Sequence, residues 1–229
     1  FQSILTHILL PHRLIQKIRR ALLNRHLNSE DDEAQFFFRK GYVKLEKKAL
    51  LSQVSDINHL DVVSLINKHK PNVIALFGTS RPQKTLMELA GKTMINLHEG
   101  LSPHYRGADC TFWALYNNEP DQVGCSLLGM DTGIDSGALM AHICPEILPD
   151  DSEQTLLWRG IRESAETFCS LIERIETGEQ FGQKQSVEGH LYHEKQRTNS
   201  LQKRLEQRLG DGILEKTRLP VRVTWFAKK

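Results

Sequence analysis

Little in this chain points to covalent stapling, a membrane or a polyanion. The four cysteines lie at positions 110, 125, 144 and 169, in steps of 15, 19 and 25 positions. No CxxC pair occurs, so a structural zinc site has no support and no metal is expected. A chain of 229 residues can bury a core without disulfides. Scattered cysteines then suit a reducing cytosol as small buried hydrophobes, and a cytoplasmic location is expected. No apolar run approaches bilayer length. Residues 1–10 are apolar but carry neither a basic leader nor a small-residue cleavage site, which argues against a signal peptide. A net charge of +2 is too small to imply a nucleic-acid partner. No internal repeat is evident.

What is present describes a globular domain. Hydrophobic residues make up 39% and charged residues 25%, outside the range of wholesale disorder. Charge is uneven near the start. Arg13, Lys17, Arg19, Arg20 and Arg25 occur without an acid, followed by Glu30, Asp31, Asp32 and Glu33. A solvated helix face explains this run more simply than a phosphate or lipid site does. Leu5, Ile8, Leu9, Ile15, Ile18 and Leu22 recur at helical spacing, with Pro11 as a boundary or kink.

From residue 60 apolar strands and helices alternate. The spacing predicts helices at 60–70, 82–90, from about 108, at 152–176 and at 199–209. Strands are predicted at 72–77, 93–98, 124–130 and 138–144, with a terminal arm through Leu219, Val221, Val223 and Trp225. Such alternation indicates an α/β sheet with helices on its faces, mostly parallel, with ligand groups at the strand ends. The segment after Gly178 turns polar. Residues 1–177 are therefore taken as the catalytic α/β domain and 178–229 as an extension with a short helix and strand. That terminal strand offers a possible homodimer edge, or it packs back on its own sheet.

Chemistry concentrates in two places. In Met94-Ile95-Asn96-Leu97-His98, strand alternation puts Asn96 and His98 on one face and Ile95 and Leu97 on the other. The loop Asp131-Thr132-Gly133-Ile134-Asp135-Ser136-Gly137 then offers Asp131 or Asp135 to meet them. An amide, an imidazole and a carboxylate can stabilise an oxyanion, move a proton and orient the ring. Taken singly, each has a plainer reading: a buried cap for Asn96, a satisfied core histidine for His98 and a turn residue for Asp135. Asp131 is preferred as a turn former. His104, His142, His190 and His193 form no convincing ligand set.

The run Asn96-Leu97-His98-Glu99-Gly100-Leu101-Ser102-Pro103-His104-Tyr105-Arg106-Gly107 resembles the folate-dependent formyltransferases. Phe112-Trp113-Ala114-Leu115, Gly124 and the 131–137 loop extend the likeness, which covers about residues 72–150. The resemblance implies a Rossmann-like formyltransferase fold and transfer of a formyl group from 10-formyltetrahydrofolate to a primary amine. Asn96, His98 and Asp135 match the family's catalytic asparagine, histidine and aspartate. Phe77, Gly78, Gly129, Met130, Asp131, Gly133 and Ile134 fall where such enzymes hold the pterin. Arg106, Tyr105 and Trp113 are candidate acceptor contacts, although Arg106 could instead tie its loop to the sheet and Trp113 could be core. Enzymes of this family ordinarily begin with an apolar strand and nucleotide-fold loop that the first residues here do not show. The expectation is either that an N-terminal piece is missing from the chain or that the family core is altered. The tail does not resemble the C-terminal barrel of tRNA-modifying members, so a small amine such as a sugar nucleotide is the expected acceptor. Hydrolysis of the same donor, or folate binding without chemistry, are the alternatives.

Overall fold

The computed structural model describes residues 36–37, 52–89, 93–186 and 189–228. The amphipathic opening, the basic 13–25 run and most of the 35–50 segment lie outside the described residues. Two compact units divide between Met94 and Ile95.

In the first unit, helix α1 spans Leu60–His69. The His59 side chain accepts from the Asp61 N–H at its start, and Lys70 ends it in a left-handed conformation immediately before Pro71. Proline there has no N–H to continue the helix. Strand β1, Val73–Phe77, ends at Gly78, whose φ of 58° turns the chain, and helix α2 follows at Lys84–Leu89. Leu76 and Leu86 are buried. Strand β2, Thr93–His98, begins in this unit.

The second unit carries the rest of β2, then β3 (Tyr105–Gly107), α3 (Cys110–Tyr116), β4 (Cys125–Gly129), β5 (Leu139–Cys144), α4 (Glu153–Glu176), β6 (His190–Tyr192), α5 (Asn199–Gly210) and β7 (Arg222–Trp225). Its main sheet runs β2-β4-β5-β7, and β3 and β6 form a separate parallel pair. The α/β class with a helix-flanked central sheet is as expected. The strand directions are not: β2–β4, β4–β5 and β5–β7 are all antiparallel, correcting the mostly parallel sheet read from the sequence. Residues 130–138, which join β4 to β5, are too few for the crossover a parallel pair requires. Between β2 and β4 the chain leaves the sheet to build β3. The seven-residue α3 is about 10 Å long at 1.5 Å per residue, too short to return the chain to the starting end as a crossover helix would.

Helix α4 opens with a capping box. Ser152 Oγ accepts from the Thr155 N–H, and Thr155 Oγ1 accepts from the Ser152 N–H. It packs on β4 and β5, burying Leu156, Gly160, Ser164, Thr167 and Leu171. At Gly160 a Cβ would already touch Cys125 Sγ at 3.4 Å, so the glycine sets how closely helix meets sheet.

The core joins Tyr105, Phe112, Trp113, Leu115 and Leu156 to Tyr192, Leu205 and Leu214. The last three lie in the segment after residue 177 and pack into this core. Arg197, also from the tail, bonds Asp109 at 3.0 Å and Glu153 at 2.9 Å, with its guanidinium 4.4 Å from the Phe112 ring centre. Burial pushes the Glu153 carboxyl above its ordinary range, against the pull of Arg197. Among the described residues no helix is long and apolar enough to cross a membrane.

Candidate active site

Strand β2 places the first two polar groups. Ile95 is fully buried beside them, and Asn96 and His98 lie opposite Leu128 and Ser126 of β4. Asp135 arrives on the loop between β4 and β5. Asn96 Nδ2 donates to Asp135 Oδ1 at 3.4 Å, and His98 Nδ1 lies 3.4 Å from Asp135 Oδ2. The three side chains selected from the sequence therefore meet at one carboxylate.

Two further contacts define the cluster. The Gly107 N–H donates to Asp135 Oδ2 at 2.9 Å, and His98 Nε2 lies 3.0 Å from the Tyr105 carbonyl oxygen. A carbonyl can only accept, so Nε2 carries a proton. Nδ1 faces a carboxylate, so both ring nitrogens lie against oxygen acceptors. The His98 side chain is 6% exposed and that of Asp135 12%, so the pair interacts with little solvent screening. Cys110 Sγ lies 3.8 Å from His98 Nε2; burial pushes its thiol well above the ordinary value, which keeps it neutral.

The loop that presents Asp135 is tightly folded. Asp135 adopts a left-handed φ of 50°. Asp131 accepts from the Gly133 N–H at 2.9 Å and from Ser136 Oγ at 2.9 Å, a turn-forming pattern. A Cβ at Gly133 would stand 1.7 Å from Ser136 Oγ, and one at Gly137 would stand 1.7 Å from the Gly129 carbonyl oxygen. Ile134 projects from this loop and is 41% exposed, while Gly129 and Met130 precede it half-buried.

The other selected residues are placed differently. The Tyr105 and Trp113 side chains are in the core, each stacked on Tyr192, with ring centres at 5.7 and 4.7 Å. The Tyr105 hydroxyl donates to Glu119 and accepts from Asn117, and burial raises its pKa. Tyr105 meets the cluster through its backbone carbonyl. Arg106 is half-buried on β3, its Nε without a partner among the described residues. Phe77, exposed, and Gly78 close β1 in the first unit. Among the described residues no three His, Cys, Asp or Glu side chains are grouped to hold a metal ion.

The sequence reading did not single out Gln185. Its Nε2 donates to the Asp135 carbonyl at 3.0 Å and to the Gly137 carbonyl at 2.7 Å. It sits in the polar stretch after α4, where no local pattern marks it.

Fold and site together define an α/β domain with an asparagine–histidine–aspartate centre suited to acyl transfer. The family model described as formyl transferase matches residues 38–172, more than half of the chain. The chain belongs to the formyl transferase family. Among curated relatives, a methionyl-tRNA formyltransferase of Geobacter metallireducens is 34% identical over 120 residues, covering 52% of this chain and 38% of that protein. One of Geobacter sulfurreducens is 31% identical over 151 residues, covering 66% of this chain and 44% of that protein. The chain thus spans less than half the length of these relatives.

Solved structures share the fold. The formyltransferase PseJ of Anoxybacillus kamchatkensis, in complex with UDP-4,6-dideoxy-4-formamido-L-AltNAc and tetrahydrofolate, superposes with a TM-score of 0.52 at 20% identity, covering 75% of this chain and 84% of that one. A likely sugar N-formyltransferase of Mycobacterium tuberculosis gives 0.54 at 16% identity, covering 90% and 96%.

Proposed function

We propose that the protein transfers a formyl group from 10-formyltetrahydrofolate to a primary amine. The observation that carries this reading is the convergence of Asn96 and His98 on the Asp135 carboxylate, each at 3.4 Å. An amide, an imidazole and a carboxylate are the groups an amine needs to displace a neutral nitrogen from a formyl carbon. The folate would supply the one-carbon unit. The 129–135 backbone, with exposed Ile134 at its turn, would meet the pterin.

The amine must attack uncharged. As it adds, negative charge develops on the formyl oxygen and positive charge on the attacking nitrogen. Asn96 Nδ2 carries two hydrogens: one faces Asp135 and the other can donate to that oxygen, a contribution of about 3–4 kcal/mol to the barrier. His98, with Nε2 on the Tyr105 carbonyl and Nδ1 facing Asp135, can serve as a proton donor or offer positive charge. Asp135 stabilises that ring and, directly or through a water, accepts the proton leaving the amine. The tetrahedral intermediate then collapses, the bond from the formyl carbon to the folate nitrogen breaks, and that nitrogen takes up a proton as tetrahydrofolate leaves. Tyr105 fixes the ring from the opposite side through its carbonyl.

We assign the acceptor to the amino-sugar nucleotides. Support comes from the coverage of the Mycobacterium tuberculosis fold neighbour and from the sugar nucleotide bound to PseJ. Methionyl-tRNA is the competing acceptor, supported by the names of the sequence relatives. The decisive test incubates the full-length protein with 10-formyltetrahydrofolate and, separately, a UDP-4-amino sugar, methionyl-tRNA or no amine, following formylated product, formate and freed tetrahydrofolate. Sugar formylation supports the assignment. Product on tRNA alone changes the acceptor, and formate at the same rate without any amine replaces transfer by hydrolysis.

A further inference from the structure

Gln183 and Leu139 exchange backbone hydrogen bonds at 2.8 and 2.9 Å, an antiparallel bridge at the first residue of β5. Two positions further along, the same register sets residue 185 opposite residue 137. Gly137 has no side chain, and a Cβ there would overlap the Gly129 carbonyl. Here the Gln185 carboxamide takes over from the backbone ladder. Its two N–H groups reach the carbonyls of Asp135 and Gly137 on either side of Ser136.

These bonds hold the peptide whose φ of 50° aims the Asp135 carboxylate at Asn96 and His98. Left-handed backbone is unfavourable for a residue with a Cβ, so it persists only where the surroundings over-determine it. Gln185 Oε1 is buried without a partner among the described residues. An orphaned buried acceptor is costly, so filling space alone would favour an apolar side chain here.

We propose that Gln185 is a positioning residue for the proposed reaction, coupling the polar segment after α4 to the orientation of Asp135. This rests on the formyl-transfer reading. Gln185→Met keeps the length of the side chain and removes both donors. The expected result in full-length protein is a kcat lower by roughly tenfold to a hundredfold, with KM for 10-formyltetrahydrofolate within about twofold. In an Asp135→Asn background the same substitution should lower the remaining rate by less than about twofold, because the group it positions has lost its charge.

A residue with a merely structural role would give equal losses in both backgrounds, and that outcome overturns the proposal. So does an unchanged kcat. If Gln185→Met does not fold, Gln185→Asn, one methylene shorter, retains a carboxamide that cannot span both carbonyls and should show the same pattern. Should the wild type transfer no formyl group, the functional reading falls by itself. Hydrogen exchange over residues 131–138 then decides the positioning role: faster exchange in Gln185→Met retains it, and identical protection rejects it.

Discussion

The Gly107 N–H donates to Asp135 Oδ2 over 2.9 Å, so the carboxylate that meets His98 is oriented by backbone as well as side chain. Gly107 has a φ of 91°, and a Cβ there would stand 2.1 Å from the Tyr192 carbonyl oxygen. Gly107→Ala should therefore combine backbone strain with a clash that only a shift of β6 can relieve, at a cost of about 2–4 kcal/mol. Gly178→Ala is the matched control. Its φ is 97° but a Cβ would meet nothing within 4 Å, so strain alone should cost about 1 kcal/mol. Urea midpoints measure both, and equal costs would mean that the close approach to β6 is not rigid.

Asn96→Ala should lower kcat by at least about a hundredfold, because it removes the neutral donor to the developing oxyanion. Asp135→Asn preserves shape yet removes the charge facing His98 Nδ1, and should lower kcat by a factor on the order of 10²–10⁴. Donor affinity should change little in either variant. Steady-state kinetics with parallel folate titrations would check this, and wild-type kcat in both would end the catalytic assignment.

The thiols offer a readout independent of activity. Cys110, Cys125 and Cys144 are buried and Cys169 is exposed on α4. Burial pushes the thiol of Cys125 up to about 12 and raises those of Cys110 and Cys144. Thiolate, not thiol, is the nucleophile, so iodoacetamide near pH 8 should label the native protein at Cys169 and spare the other three. All four should react in denaturant. Native labelling of Cys110 at a comparable rate would show that the core around His98 opens.

How much of this was legible beforehand varied with the kind of interaction. Asn96 and His98 could be paired because strand alternation is local, whereas the glycine-flanked loop offered Asp131 or Asp135 alike and the family resemblance selected Asp135. Helix α4 could be bounded because its cap and its terminal glycine are neighbours in sequence. Tyr105 and Trp113 were harder: an aromatic side chain reads alike as pocket wall or core, and only Tyr192, far along the chain, decides the matter by stacking on both. The three-residue strands β3 and β6 are too short to carry a period. Strand direction was misread because an apolar run does not say which way its neighbour points. Gln185 and the Gly107 N–H acquire meaning only through contacts distant in sequence.

His142 provides the pH prediction. It lies on β5, its Nε2 2.7 Å from the Ser102 carbonyl oxygen and its ring edge-on to Phe226. Burial holds its pKa below the ordinary value, the bond to Ser102 opposes that effect, and the charge of nearby His104 adds to it. As pH falls, the unfolded chain therefore takes up this proton before the folded one does. The resulting stability is present in full above the unfolded value of about 6.5 and is lost as pH drops from there through the lower folded value. His142→Gln removes the titration and leaves a carboxamide able to donate to Ser102. Its urea midpoint should fall less steeply than that of the wild type between about pH 7.5 and pH 5.5. Because other titrating groups are common to both proteins, the difference in slope isolates His142, and parallel slopes would mean that the ring charges as readily folded as unfolded.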